Sequence, residues 1–228
     1  MNELGSRPAE EAFPAGFASR ELPAASSRLL VLVLVLICGW GVLMRHFGGG
    51  IYRVMGPFAL AVLLGVAAVT QKELRGWLRP TRAGIGSGIA VGLLMTLATY
   101  PAYELAAALF PELGAQVASL YAATRQATPG QALVWMPAII LAEELLWRGA
   151  LLHVLSARVP QSAAMALSIS SYALAQLGTG SWIVMLLAAV CGSIWTLQRR
   201  LTCSLLSPLL AHLIWTPVVM FLHPVATG

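Results

Sequence analysis

Three ionisable residues stand together in the most apolar part of the chain. Residues 142–149 read AEELLWRG, inside the run VWMPAIILAEELLWRGALLHVL. On an α-helix Glu144 and Arg148 are four residues apart and share a face, with the glutamate on the favourable N-terminal side. Glu143 is rotated by about 100° from Glu144, so we expect that the two carboxylates do not point at the same partner. Charges at mid-bilayer cost ~2.5–3.5 kcal/mol each, so such a cluster needs either mutual compensation or a function.

This spacing suggests two roles for the three charges. Glu144 and Arg148 can neutralise each other, which leaves Glu143 facing the bundle interior without an obvious cation. A carboxylate in that position suits a general base that acts on water. The alternative is that all three side chains form a buried polar cluster that fixes helix packing.

The partners of Glu143 must come from other helices. His212 lies midway along the last apolar segment, in SPLLAHLIWTPVV, and Thr216 follows it by about one helical turn. Gln176 is a strongly polar residue near the end of the segment SSYALAQLG. We expect His212 to be the closer partner, because Gln176 would sit too shallow in the membrane unless its span is short, tilted or broken. His153 is predicted to face the cytoplasmic interface.

The composition excludes several classes of protein. The 228 residues are 58% hydrophobic and 10% charged, whereas a soluble domain carries about 25% charged residues, so an integral membrane protein is predicted. All nine acidic residues are Glu, which excludes intramembrane proteases that work through paired aspartates. Membrane topology explains the net charge of +5 better than nucleic-acid binding does.

We predict no metal and no cofactor. One His with one or two carboxylates falls short of the three ligands of catalytic zinc, and Cys38, Cys191 and Cys203 lack ligand spacing.

The apolar segments predict an all-α, polytopic transmembrane helix bundle. Since each span needs ~20 mostly apolar residues, the bundle should have about seven spans, with a range of six to eight. The polar residues 1–28 are predicted to be a mobile tail. Residues 29–131 should hold the N-terminal membrane helices and loops, and residues 132–222 the bundle that carries the charges. A short or re-entrant piece between 110 and 131 would change the count. The candidate spans are residues 29–44, 55–71, 84–109, 132–157, 161–177, 181–198 and 204–222.

The basic residues predict the orientation of the bundle. Lys72, Arg75, Arg79 and Arg82 cluster between the second and third spans, which places that loop in the cytoplasm. Alternation then puts Arg158 and the Arg199–Arg200 pair on the same side, with the N-terminus cytoplasmic. We expect a bacterial inner (plasma) membrane.

The motifs of residues 132–222 resemble those of the CAAX-protease and bacteriocin-processing (CPBP, Abi-type) membrane endopeptidases. That family carries the motifs EExxxR, FxxxH, and HxxxN or HxxxD, in this order. The chain has the first motif intact, from Glu143 to Arg148. In the second, Tyr172 stands in the aromatic place and Gln176 replaces the histidine. In the third, His212 is kept and Thr216 replaces the amide or acid.

The resemblance implies a glutamic-type intramembrane peptidase. Glu143 would activate water, Glu144 and Arg148 would form the supporting pair, and His212 would orient the water or polarise the oxyanion. Gln176 and Thr216 can donate hydrogen bonds to an oxyanion. The implied substrates are membrane-anchored or lipidated proteins, cut near their C-terminal segment during maturation or surface sorting. Two alternatives are a catalytically inactive membrane binding or immunity protein, and a transporter with Glu143 as proton relay.

Overall fold

The computed structural model describes residues 24–46, 51–125 and 128–225, and every regular element in these ranges is helical. The prediction of an all-α bundle is confirmed. Two π-helices (Glu144–Leu151 and Val218–Leu222) and a 3₁₀-helix (Gln176–Thr179) continue helices of the second half. The α-helices are α1 Ala24–His46, α2 Ile51–Val69, α3 Gln71–Trp77, α4 Arg82–Leu109, α5 Glu112–Thr124, α6 Pro129–Glu143, α7 Leu152–Ser156, α8 Gln161–Ala175, α9 Trp182–Thr202 and α10 Leu206–Pro217.

Four of the described helices are long and apolar enough to cross a membrane. They contain Ser27–His46, Tyr52–Val69, Arg82–Leu109 and Trp182–Thr202, and a shorter apolar helix covers Leu206–Leu222. The chain is therefore an integral membrane protein built as a helical bundle. Residues 1–23 of the predicted tail lie outside the described residues, and α1 begins at Ala24, inside the range predicted as tail.

The other predicted spans are composite. The segment predicted at 132–157 consists of α6, the first π-helix and α7, and the segment predicted at 161–177 is α8 with its 3₁₀ turn. Helix α5 occupies the region where a further short piece was considered. The count of about seven spans stays a prediction.

Helix starts follow local sequence signals. Thr128 opens α6 with a capping box, in which its hydroxyl accepts from the Gln131 N–H and the Gln131 side chain accepts from the Thr128 N–H. The Thr81 hydroxyl caps α4, and the Ser181 hydroxyl caps α9. These caps fix where each helix enters the bundle, and therefore the register at which its polar residues face the interior.

Helices α4 and α10 pack at close range because α4 presents glycines to α10. A Cβ on Gly88 would lie 2.8 Å from the backbone oxygen of Ser207, and one on Gly92 would lie 3.0 Å from the Cα of Ala211. Small residues that let membrane helices approach are a common packing device. The contact holds α10, which carries His212, against the rest of the bundle.

One end of the bundle gathers the loops that are rich in arginine. The Leu205 N–H donates to the carbonyl of Trp77 at 2.8 Å, so the turn between α9 and α10 touches the end of α3. The His153 ring, at the end of the α6–α7 run, packs edge-on against Trp77 with ring centroids 5.4 Å apart. The segments near Arg79, Arg158 and Arg199 therefore meet at the same end.

Candidate active site

The candidate site begins where α6 widens into a π-helix. Glu143 is the last residue of α6, and Glu144 to Leu151 form the π-helix, all of whose residues are buried. Such wider turns are rare in proteins and occur frequently at functional sites. The interpretation of this stretch as a regular α-helix is wrong for residues 144–151, although Glu144 and Arg148, four residues apart, still meet in the wider turn.

Glu144 and Arg148 form a buried ion pair that also reaches a third helix. Arg148 Nη1 lies 3.1 Å from Glu144 Oε1, and the two side chains are 1% and 0% exposed. Nδ1 of His212, on α10, lies 3.0 Å from the same oxygen. The carboxylate of Glu144 thus ties the π-helix to α10 through one cation and one imidazole.

Glu143 has a different set of neighbours. Its Oε2 accepts a hydrogen bond from the Tyr172 hydroxyl at 3.3 Å. Nε2 of His212 lies 3.7 Å from the same oxygen, which is too long for a direct hydrogen bond. Glu143 therefore faces α8 and α10, and among the described residues no lysine or arginine forms an ion pair with it.

The expectation that the two carboxylates do not point at one partner is wrong. Both glutamates approach His212, one at each ring nitrogen. The physical reason is that an imidazole carries nitrogens on two sides of its ring, so two carboxylates with different directions can both reach it. His212 lies between them, buried at 4% exposure.

Aromatic rings fix the imidazole and the guanidinium. The Trp195 ring stacks on His212 with centroids 3.8 Å apart and an interplanar angle of 20°. The Arg148 guanidinium lies over the Tyr172 ring at 4.3 Å from its centroid, and 5.2 Å from that of Trp195. Sequence reasoning noted Tyr172 only as the aromatic of a motif and missed Trp195. The polar hydroxyl of Tyr172, one helical turn before Gln176 in an apolar span, could have marked it as a site residue. Nothing in the sequence distinguishes Trp195 from the other residues of its apolar span.

A cavity of about 210 Å³ joins several of the predicted residues. Glu143, His212, Gln176 and Thr216 all line it, together with Tyr172, whereas Glu144 and Arg148 lie behind its wall. The hydroxyl of Thr216 is buried and has no hydrogen-bond partner within the described part of the chain. Most other lining residues are apolar, among them Met44, Met55, Met136 and Met220.

Gln176 reaches the cavity because its helix is short. Helix α8 ends at Ala175 after 15 residues, and Gln176 begins the 3₁₀ turn that follows. The side chain is buried at 4% exposure. We expected Gln176 to lie too shallow in the membrane unless its span was short, tilted or broken. The span is short and ends in a 3₁₀ turn, so the expectation that Gln176 is too far from the site does not hold. His153 lies away from the cavity, against Trp77.

This arrangement offers a carboxylate beside an imidazole and two amide or hydroxyl donors around a small, largely apolar cavity. Within the described ranges, no group of three or more His, Cys, Asp or Glu side chains converges in a geometry suited to a metal ion. The chemistry on offer is proton transfer to and from water, and hydrogen bonding to a developing negative charge.

Comparison with protein families identifies this region. Residues 125–218 match the family described as type II CAAX prenyl endopeptidase Rce1-like. The match covers 94 of the 228 residues, and this part of the chain is similar to that family. The match runs from just before α6 to the end of α10, and so includes the first π-helix, Tyr172, Gln176, His212 and Thr216.

The Rce1-like region agrees with the resemblance expected from the sequence, which covered residues 132–222, and that recognition is confirmed. Comparisons with curated proteins and with solved structures found no match. The description of the matching family names an endopeptidase, an enzyme that acts on proteins or peptides, and the membrane-spanning helices place this chain in lipid.

Proposed function

We propose that the chain is an intramembrane endopeptidase in which Glu143 activates water. The observation that carries the proposal is the shared cavity: Glu143 and His212 line it together, and the ion pair of Glu144 with Arg148 stays outside. The charged pair is thus separated from the group that is free to react. The match of residues 125–218 to a family of endopeptidases supports the same interpretation.

The proposed reaction uses His212 as the neutral tautomer that carries its proton on Nδ1. A donor on Nδ1 satisfies the Glu144 carboxylate at 3.0 Å and leaves the Nε2 lone pair turned towards Glu143. A water held between Nε2 and the Glu143 carboxylate can donate to both. Glu143 takes one proton as the water oxygen attacks the scissile carbonyl carbon, and later returns that proton to the leaving amine.

The oxyanion of the tetrahedral intermediate requires donors on the other side of the carbonyl. Gln176 can supply amide N–H groups, and Thr216 can supply a hydroxyl that has no other partner among the described residues. Neither side chain exchanges a proton near neutral pH, so the proton stays between Glu143, the water and the leaving amine. Trp195 holds the plane of the imidazole through its stacked ring.

The substrates in this proposal are membrane-anchored or lipidated proteins that are cut near their C-terminal segment. The cavity wall is mostly apolar, and the outer faces of the bundle expose Leu64, Leu97 and Leu201, which suits a site reached from lipid. Maturation or surface sorting of anchored proteins in a bacterial inner membrane would use such an activity. A prenylated cysteine is the modification that the family's description names.

The test is cleavage of quenched fluorescent peptides by the purified chain in liposomes. The peptides carry a prenylated, an acylated or an unmodified cysteine three residues from the C-terminus. Glu143→Gln should lower kcat by at least about 10²-fold, because general base catalysis contributes 10² to 10⁴. Glu104→Gln is the matched control, since Glu104 is exposed on α4, and it should cleave like the wild type.

Three outcomes contradict the proposal. Cleavage by Glu143→Gln at the wild-type rate removes Glu143 as the base. Equal binding of a peptide by the wild type and Glu143→Gln, with no cleavage of any of the three, favours the catalytically inactive binding or immunity protein. Proton-coupled uptake that requires Glu143 would instead favour the transporter.

A further inference from the structure

The Tyr172 hydroxyl is a donor directed at the proposed base. It lies 3.3 Å from Oε2 of Glu143, and both residues line the cavity. Its bond to Glu143 joins α8 to the end of α6 across 29 positions of sequence.

The Tyr172 ring is packed against two neighbouring side chains, so its hydroxyl has little freedom. The Arg148 guanidinium lies 4.3 Å from the ring centroid, and the Trp147 ring lies 5.5 Å away. Gly192 of α9 leaves the space for this stack, since a Cβ there would lie 3.1 Å from Tyr172 Cδ1 and 3.2 Å from Arg148 Nη2. A donor fixed in this way needs no reordering when the reaction begins.

The cation over the ring also acts on the hydroxyl. A guanidinium near the face of an aromatic ring is attracted by the electron density of that ring. The positive charge of Arg148 therefore draws electron density from the phenol oxygen of Tyr172, which makes the O–H group a stronger hydrogen-bond donor. Arg148 thus reaches Glu143 indirectly, through Tyr172, while its own ion pair is with Glu144.

We propose that Tyr172 is a positioning residue for Glu143. Its hydroxyl donates to Oε2, the oxygen that also faces His212 Nε2, which fixes the plane of the carboxylate and leaves the remaining lone pairs of the carboxylate to take the proton from water. Tyr172 keeps its own proton throughout. This inference rests on the proposed function, because it assigns Tyr172 a role only if Glu143 is the base.

Tyr172→Phe tests the role, because it removes one oxygen and keeps the ring that packs against Arg148. In the liposome assay with the prenylated peptide, kcat should fall about 10- to 100-fold, because a carboxylate that is no longer held in position loses the alignment that the reaction needs. KM should stay at the wild-type value, and the thermal unfolding midpoint should fall only by the small amount expected for one lost buried hydrogen bond. Tyr100→Phe is the matched control: it removes a phenol hydrogen bond of 2.8 Å to the His223 carbonyl, away from the cavity, and should leave kcat unchanged.

Infrared spectroscopy supplies a readout that does not depend on turnover. The difference between wild type and Glu143→Gln isolates the carboxyl bands of Glu143, and these bands should shift in Tyr172→Phe but not in Tyr100→Phe. Unshifted bands, or a wild-type kcat in Tyr172→Phe, overturn the role of Tyr172 while the proposed function stands. If Glu143→Gln cleaves like the wild type, the proposed function fails. Tyr172 then has no role in catalysis, even if the carboxyl bands of Glu143 shift in Tyr172→Phe.

Discussion

At the scale of single residues, the two adjacent glutamates differ in their surroundings more than in their burial. Glu144 is fully buried and bonds to Arg148 and His212, whereas Glu143 borders the cavity and bonds to Tyr172. A buried charge without a counter-charge is strongly unfavourable, and a matched pair removes most of that penalty. In the proposed function, the pair of Glu144 with Arg148 makes the buried cluster tolerable, and Glu143, which lines the cavity, is the group that reacts.

Glu144→Gln should lower the amount of folded protein in the membrane, because it leaves Arg148 buried without its counter-charge. Breaking a buried pair costs about 3–5 kcal/mol. The measurement is the abundance of the tagged chain in membranes, with Glu104→Gln as the control at an exposed site.

The double variant Glu144→Gln/Arg148→Met provides the complementary test. It removes both charges, so abundance should recover towards the wild-type level. Normal abundance of Glu144→Gln alone would contradict the assignment of this pair as the element that stabilises the cluster.

At the scale of elements, the close contact of α4 with α10 positions the imidazole. Gly84, Gly88 and Gly92 follow one face of α4, and α10 places Ser207, Leu210 and Ala211 against or near that face. The Gln198 amide of α9 adds hydrogen bonds to the Ser87 carbonyl at 3.2 Å and to the Ser207 hydroxyl at 3.1 Å. These contacts fix the axial position of α10, and with it the height of His212 relative to Glu143.

Gly88→Ala should destabilise the bundle by about 1–3 kcal/mol, the usual cost of an overpacked site. Its Cβ would lie 2.8 Å from both the Ser207 carbonyl oxygen and the Leu210 Cβ, and the backbone atom cannot move aside cheaply. Gly86→Ala is the matched control on the same helix, because a Cβ there meets nothing within 4 Å. It should be neutral or stabilising, since alanine favours helix over glycine by up to about 1 kcal/mol.

Thermal unfolding in detergent, combined with the kcat of each variant, checks this prediction. Equal unfolding midpoints for Gly88→Ala and Gly86→Ala would contradict the close contact of α4 with α10.

At the scale of the whole molecule, the arginine-rich segments meet at one end of the bundle. The turn around Leu205 bonds to Trp77, and His153 packs on the same tryptophan. Positive charge concentrates on the cytoplasmic side of membrane proteins. The contacts between these loops agree with the predicted orientation, in which the N-terminus and these loops face the cytoplasm, and the orientation itself stays a prediction.

Cys203 provides the test of orientation. It is exposed in the turn between α9 and α10, close in sequence to Arg199 and Arg200. In a variant without the other two cysteines, a membrane-impermeant maleimide should label Cys203 in inverted vesicles and not in right-side-out ones. A Thr179→Cys variant without native cysteines should show the opposite pattern, because residue 179 lies in the turn at the far end of α9. Labelling of Cys203 from the outer side would overturn the orientation.

The sequence by itself determined the class of the protein and most of its reactive groups. Apolar segments of membrane-spanning length interrupted by a few charges dictate a helical bundle, because a charge in lipid is too costly to place without a partner or a purpose. The spacing of Glu144 and Arg148 indicated their pair directly, since side chains four residues apart on a helix are neighbours. His212, Gln176 and Thr216 also stood out in the sequence, because they are polar residues within the apolar segments of later helices.

Only the tertiary structure decided which of these groups approach Glu143 and by which atoms. A helical period tells which residues share one face of one helix, but not how neighbouring helices are rotated or shifted against each other. Tyr172 and Trp195 are therefore visible only after α8 and α9 are packed against the π-helix. The π-helix itself has no periodic signature in so short a run. The sequence predicted His212 as a partner of Glu143 alone. In the structure both glutamates, at the start of this wider turn, approach His212, one at each nitrogen of its ring.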